Sequence, residues 1–292
     1  MPPKALLKEF LEGYDYLSWA YKASVLTILI EDPTLFNQVK ERFESDFGKN
    51  VTPSKETLMN FYKMEMHFSA YHSTEALFAL IFAFLFQPDL PWLWLTMYTN
   101  KNFSDLVHRL SEKGLSLFGK DAKLVARGLF FSVKDEKLNG TIEHSADFAA
   151  SYIKELAKDF LDRDDYNSYK HGLRTLAARE FKAALGPVNW QEEATTTYLT
   201  LTKPTETREA IVRDVCVTIK AIDYVRSKRI IATNTNLMHN LFEIKKAQAI
   251  ERQGVRLGVF PQEMIVPDVL LPSKSGNALR KATLSSVATK TS

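Results

Sequence analysis

The residues best suited to chemistry cluster between 164 and 174, which read DDYNSYKHGLR. On a helical period, Asn167, His171 and Arg174 share one face, with Arg163 and Asp164 a turn earlier beside them. An imidazole, a carboxamide and a guanidinium on one face suit an anion such as phosphate. Arginine offers a planar fork of donors, and histidine can donate or accept a proton near neutrality. Asn167, His171 and Arg174 are therefore the candidate catalytic residues, with Arg163, Lys170 and Tyr166 as candidate binding residues. Tyr166, Tyr169, Leu173, Leu176 and Ala177 fall on the apolar side of the same helix, so a solvated helix face is the competing reading. Gly172 favours a site or a close helix contact, because glycine inside a helix costs about 1 kcal/mol relative to alanine.

A second constellation lies on a long apolar helix, where Phe61, Glu65, Phe68, His72, Glu75, Ala79, Phe82 and Phe86 form one broad stripe. Buried charges are costly unless paired, so Glu65, His72 and Glu75 are expected to have partners, with His72 and Glu75 as i,i+3 neighbours. The alternative is a metal site in a helical bundle built on these three residues. The order here is HxxE, not the ExxH of di-iron bundles, and ExxH occurs nowhere in the chain. Also absent are a phosphate-loop motif, GxGxxG, HExxH and GxSxG, and no cofactor is expected. The single cysteine, Cys216, sits between Val215 and Val217 and reads as a buried structural thiol.

These residues must be carried by helices. Leu7, Leu11, Tyr14, Leu17, Tyr21, Val25 and Ile28 predict a long first helix, and Asp32 with Pro33 opens a second that runs to Phe47. Further helices are expected over 54–86, 102–113, 121–132, 145–161 and 165–185. Thr195 to Thr202 is β-branched and alternating, hence a strand. Residues 206–253 return to helical spacing, with an interruption near Thr233–Asn236, and 263–271 is expected as a second strand. The fold class is mainly α: an up-and-down helical bundle over 1–190, a small C-terminal α+β appendage over 191–272, and a polar, disordered tail over 273–292.

The 292 residues, 45% apolar and 25% charged, can bury a core without staples and exclude collagenous and low-complexity classes. One cysteine excludes an internal disulfide or a multi-thiolate metal cluster and suits a reducing cytoplasm. The longest apolar run, Ala76 to Phe86, is half of the roughly 20 residues a bilayer span needs, so no membrane partner is expected. No secretory signal is expected at the start. Residues 1–202 carry a net charge of −4 and residues 203–292 a net charge of +7. The basic end either attracts an anionic partner or is a solvated face with a loose tail.

The runs HSTEALFAL (72–80), NFSDLVHRL (102–110) and YNSYKH (166–171) resemble the HEPN family over about residues 54–185. That resemblance implies an up-and-down helical bundle with an RNxxxH-type motif, association with RNA or nucleotides, and homodimers. Active members are metal-independent ribonucleases. Asn167 and His171 match the motif's second and last positions, while Tyr166 stands where the family has its catalytic arginine. If cleavage occurs, His171 would assist proton transfer for attack by a ribose 2′-hydroxyl, and Arg163 or Arg174 would stabilise the phosphorane. A non-catalytic homodimeric interaction module and a metal-dependent bundle enzyme are the alternative readings.

Overall fold

The computed structural model describes residues 3–32, 34–119, 121–133, 136–163, 166–167, 175–178, 181–185, 188–192, 195–201, 205–206, 210–250, 254–271 and 280–290. The chain is mainly α, a helical bundle with a smaller α+β part toward the C-terminus. Its helices are α1 (Pro3–Gly13), α2 (Ser18–Glu31), α3 (Leu35–Phe47), α4 (Lys55–Phe86), α5 (Pro91–Met97), α6 (Asn100–Lys113), α7 (Ala122–Phe130), α8 (Asn139–Leu161), α9 (Tyr224–Ile250) and α10 (Val266–Leu270). The strands are β1 (Thr175–Ala178), β2 (Phe181–Leu185), β3 (Val188–Glu192), β4 (Thr195–Leu201), β5 (Thr205–Glu206), β6 (Ala210–Ala221) and β7 (Arg280–Lys290).

Local chemistry sets many of the helix ends. Ser54 Oγ accepts the Thr57 amide ahead of α4 at 3.1 Å, and Thr99 Oγ1 accepts the Asn102 amide ahead of α6 at 3.2 Å. Asp121 Oδ1 takes the Lys123 and Leu124 amides at 2.8 and 3.2 Å, capping α7. Between α1 and α2, Asp15 Oδ1 accepts the Leu17 amide at 3.0 Å and its carbonyl accepts from Ser18 Oγ. This turn breaks the long first helix expected from periodicity, and Tyr21, Val25 and Ile28 of the expected core stripe are exposed.

The chain divides into two compact units, each assembled from three stretches of sequence. The first comprises Met1–Ala23, Ser69–Asp162 and Arg226–Leu271. Its core is aliphatic and aromatic: Phe78, Ile81 and Phe82 from α4, Phe103 and Val107 from α6, Phe130 from α7, Ile153 and Phe160 from α8, and Leu241 and Phe242 from α9 are all buried. Among the described residues α4 is the one helix long and apolar enough to cross a bilayer, and 78% of its most apolar window is buried inside the protein.

The second unit comprises Ser24–Phe68, Arg163–Val225 and Pro272–Ser292. Its sheet has the order β1-β4-β6-β5, with β7 also on β6, and every pairing is antiparallel. Thr175 faces Tyr198, Leu199 faces Val217 and Arg213 faces Val287 in register. Strands β2 and β3 form a separate two-stranded sheet.

The strand expected at Thr195 is present as β4, but its partners differ from those expected. Of the helix expected over 165–185, residues 166–167 are helical and Thr175–Ala178 and Phe181–Leu185 are instead β1 and β2, the others lying outside the described residues. The first part of the helix expected over 206–253 is β6, which carries Cys216 opposite Thr200. The run Ile211, Val212, Val215, Val217, Thr218 and Ile219 in β6 is rich in β-branched residues, which stiffen at χ1 and suit a pleated surface. The strand expected over 263–271 is instead a turn, closed by the Met264 amide on the Pro261 carbonyl at 3.0 Å, leading into α10, whose first turn contains Pro267. Residues 280–290 of the expected tail pair with β6 as β7, and residues 272–279, 291 and 292 lie outside the described residues.

Candidate functional site

The phosphate-type constellation lies in the second unit. Asn167 follows Tyr166 in a short helical segment, and its amide donates to the Arg163 carbonyl at 2.9 Å. Tyr166 is completely buried, its ring 6.5 Å from that of Phe68. Asn167 is exposed and Arg163 is partly exposed. Tyr166 is thus a core anchor rather than a ligand-facing residue, because a phenol with no accessible surface cannot meet a solvent-borne phosphate. Lys170, His171, Gly172 and Arg174 lie outside the described residues, and Thr175–Ala178 beyond them is β1.

Glu65, His72 and Glu75 are all half-buried on α4. No group of three or more His, Cys, Asp or Glu side chains that could hold a metal ion occurs among the described residues.

Helix periodicity did not anticipate the most elaborate polar arrangement, which lies inside the first unit. The Tyr152 hydroxyl donates to Asn234 Oδ1 at 2.8 Å, and Asn234 Nδ2 donates to Ser73 Oγ and Thr74 Oγ1, each at 3.0 Å. Both hydroxyls donate in turn to the Ala70 carbonyl. All four side chains are buried, and burial holds the Tyr152 phenol far above its ordinary range. The signal in the sequence was Thr233–Asn236, a polar stretch in a helical pattern and expected to interrupt it. The helix continues because Asn234 spends its amide on other helices.

Further along α9, His239 has both ring nitrogens engaged. Nε2 lies 3.0 Å from the Arg256 carbonyl, which can only accept, so that nitrogen carries hydrogen. In neutral His239, Nδ1 then accepts from the Tyr16 hydroxyl at 3.0 Å. Burial, followed by the charges of Glu243 and Asp15, raises the Tyr16 phenol above its usual value. Burial also pushes Tyr14 up to about 12, with Tyr98 and Asp15 adding to the effect. Lys245 is shifted the other way, lowered by burial against the opposing pull of Asp89, and its ammonium lies 5.8 Å from the Phe84 ring centre. These side chains are half-buried, and the shifts of Tyr14, Tyr16 and Lys245 follow chiefly from desolvation.

An apolar hollow of about 280 Å³ opens beside α1 and α5, bounded by Leu6, Phe10, Leu90, Pro91, Trp92 and Leu93 among others. Compared with family models, with curated proteins and with solved structures, the chain has no significant match.

Proposed function

We propose that the protein binds a phosphate-bearing ligand, with single-stranded RNA as the working substrate class, through the polar face around Asn167, His171 and Arg174, as its HEPN-like sequence implies. The observation that supports this reading is the division of labour between adjacent residues. Tyr166 is buried beside Phe68, while Asn167 is left in solvent with Arg163 one turn before it. A buried aromatic anchor fixes the rotation of the segment, so the carboxamide at the motif's second position faces outward. Since Tyr166 is consumed by the core, any guanidinium serving this face must come from Arg163 or Arg174. The chemistry would then be charge-assisted hydrogen bonding to phosphate oxygens, with cleavage requiring His171 as the proton-transfer group.

The reading includes a homodimer and a cytoplasmic setting, as the resemblance and the single cysteine suggest. It is tested by fluorescence anisotropy with a short labelled single-stranded RNA on wild type and on Asn167→Ala, His171→Ala and Arg174→Ala. Binding that weakens in the variants and falls with added salt is expected, because phosphate contacts release counterions. Binding unchanged in all three variants, with helix content intact by circular dichroism, would overturn it. Light scattering on the wild type tests the dimer.

A further inference from the structure

Residues 254–265 form neither helix nor strand, and Phe260 is the single buried residue among these twelve. The segment is nevertheless held by its backbone. Asn240 Nδ2 donates to the Gly258 carbonyl at 2.7 Å, while Asn240 Oδ1 accepts the Gly258 amide at 2.8 Å. One side-chain amide thus pairs with a peptide unit as a neighbouring strand would. Ser145 Oγ accepts the Phe260 amide at 3.0 Å, His144 Nε2 donates to the Pro261 carbonyl at 2.9 Å, and His239 Nε2 donates to the Arg256 carbonyl.

The side-chain requirements are few and sharp. A Cβ at Gly258 would overlap the Asn236 carboxamide on α9, so a larger residue there would have to displace that side chain. The Phe260 ring sits 4.4 Å from Phe148 and 6.4 Å from Phe131, in a slot walled by aromatic side chains. Two helices, α8 and α9, supply every polar anchor. Main-chain bonds for affinity, a glycine for close approach and one apolar pocket for an aromatic are how grooves read extended peptides.

We propose that the groove between α8 and α9 is a peptide-recognition site, occupied in cis by residues 256–261 and fitted to an extended partner segment with glycine, any residue, an aromatic and proline in that order. The anchors see mainly main-chain atoms, so a partner peptide of that pattern satisfies them as well as the chain's own segment does. One buried side chain makes the segment a low-cost element to lift by local opening. The tether gives the internal segment an effective concentration on the order of mM, so it suppresses a partner until it is weakened. The segment is then an internal competitor, and its release exposes the site.

The test uses a fluorescent synthetic peptide spanning residues 254–265, titrated into full-length wild type and full-length Phe260→Ala. The variant loses the aromatic from its own segment and keeps the groove intact. It is expected to bind the peptide at least about tenfold more tightly than wild type, and Phe260→Ala combined with Asn240→Ala is expected to lose that gain. A folded Phe260→Ala that binds no better than wild type, or a double variant that keeps the gain, overturns the proposal. Gly258→Ala, which lifts the segment by a single methyl group, is read by the same criterion if Phe260→Ala fails to fold. Loss of helical structure in both variants would make the segment part of the core and overturn the proposal as well.

Discussion

Tyr152 and Asn234 are 82 residues apart in sequence, yet the tyrosine hydroxyl donates to the Asn234 carboxamide oxygen at 2.8 Å with both side chains fully buried. The amide nitrogen of Asn234 is spent on Ser73 and Thr74, so the asparagine joins α4, α8 and α9 through one side chain. Among the largely apolar contacts between these helices, this buried hydrogen-bonded junction pins their rotation. Apolar surfaces slide past one another with little penalty, whereas an unpaired buried phenol does not.

Asn234→Leu is expected to lower stability by about 2 kcal/mol, because it leaves the Tyr152 hydroxyl buried without an acceptor. Adding Tyr152→Phe should recover part of the loss, since a polar pair replaced on both sides leaves nothing unsatisfied. Urea midpoints of wild type, both single variants and the double variant give the coupling directly.

Arg226 bridges Asp159, at 2.6 Å, and the Leu270 carbonyl, at 2.5 Å, with its side chain only 14% exposed. Its neighbour one turn on, Arg229, donates to the Asp268 and Leu271 carbonyls. Together they satisfy carbonyls at the end of α10 and favour its negative dipole end. Arg226→Ala should cost about 1.5–3 kcal/mol, the range for hydrogen bonds to a charged group. In thermal melts the variant should unfold earlier, and hydrogen exchange should show early loss of protection in 266–270.

Tyr14 supplies a pH dependence with a definite sign. Its folded pKa is about 12 against an ordinary 10, so the fold prefers the neutral phenol. The stabilisation is present in full below pH 10 and is lost as pH rises from 10 through about 12, amounting to roughly 2 kcal/mol. Tyr14→Phe should remove that part of the alkaline slope, seen by comparing urea midpoints of the two proteins at pH 9 and pH 11, inside and above the plateau.

Gly114 ends α6 with φ +58° and ψ −156°, a region open essentially only to glycine. A Cβ there would also press to 3.4 Å from that of Lys154. Gly114→Ala should therefore destabilise by about 1–3 kcal/mol, detectable as a lower denaturant midpoint at unchanged slope.

The helical part of this fold was legible in its residues because the forces that build a helix act within one or two turns. Ser54 and Asp121 sit next to the helices they begin, Gly114 next to the one it ends, and the apolar spacing of α4, α6 and α8 reports burial on a local period. The β-branched alternation of β4 was equally local. Pairing is not local. Nothing near β6 says that its eleven-residue partner strand lies at 280–290, and its valines and isoleucines match helical spacing as readily as a pleat until neighbouring strands decide.

The candidate sites divide in the same way. Residue types marked 163–174 as a place where phosphate chemistry could occur, but only packing against Phe68 removed Tyr166 from the surface and left Asn167 on it. The Asn240 clamp on Gly258 and the Phe260 slot had no sequence signature. An asparagine in a helix and a glycine in a loop are individually unremarkable, and their meaning arises when the chain returns to bring a backbone within 2.8 Å of that carboxamide. Composition and local period determine which elements a chain can form. Which buried polar group meets which partner is decided by tertiary contact, because a hydrogen bond is specific only at a distance and angle that chain neighbours do not set.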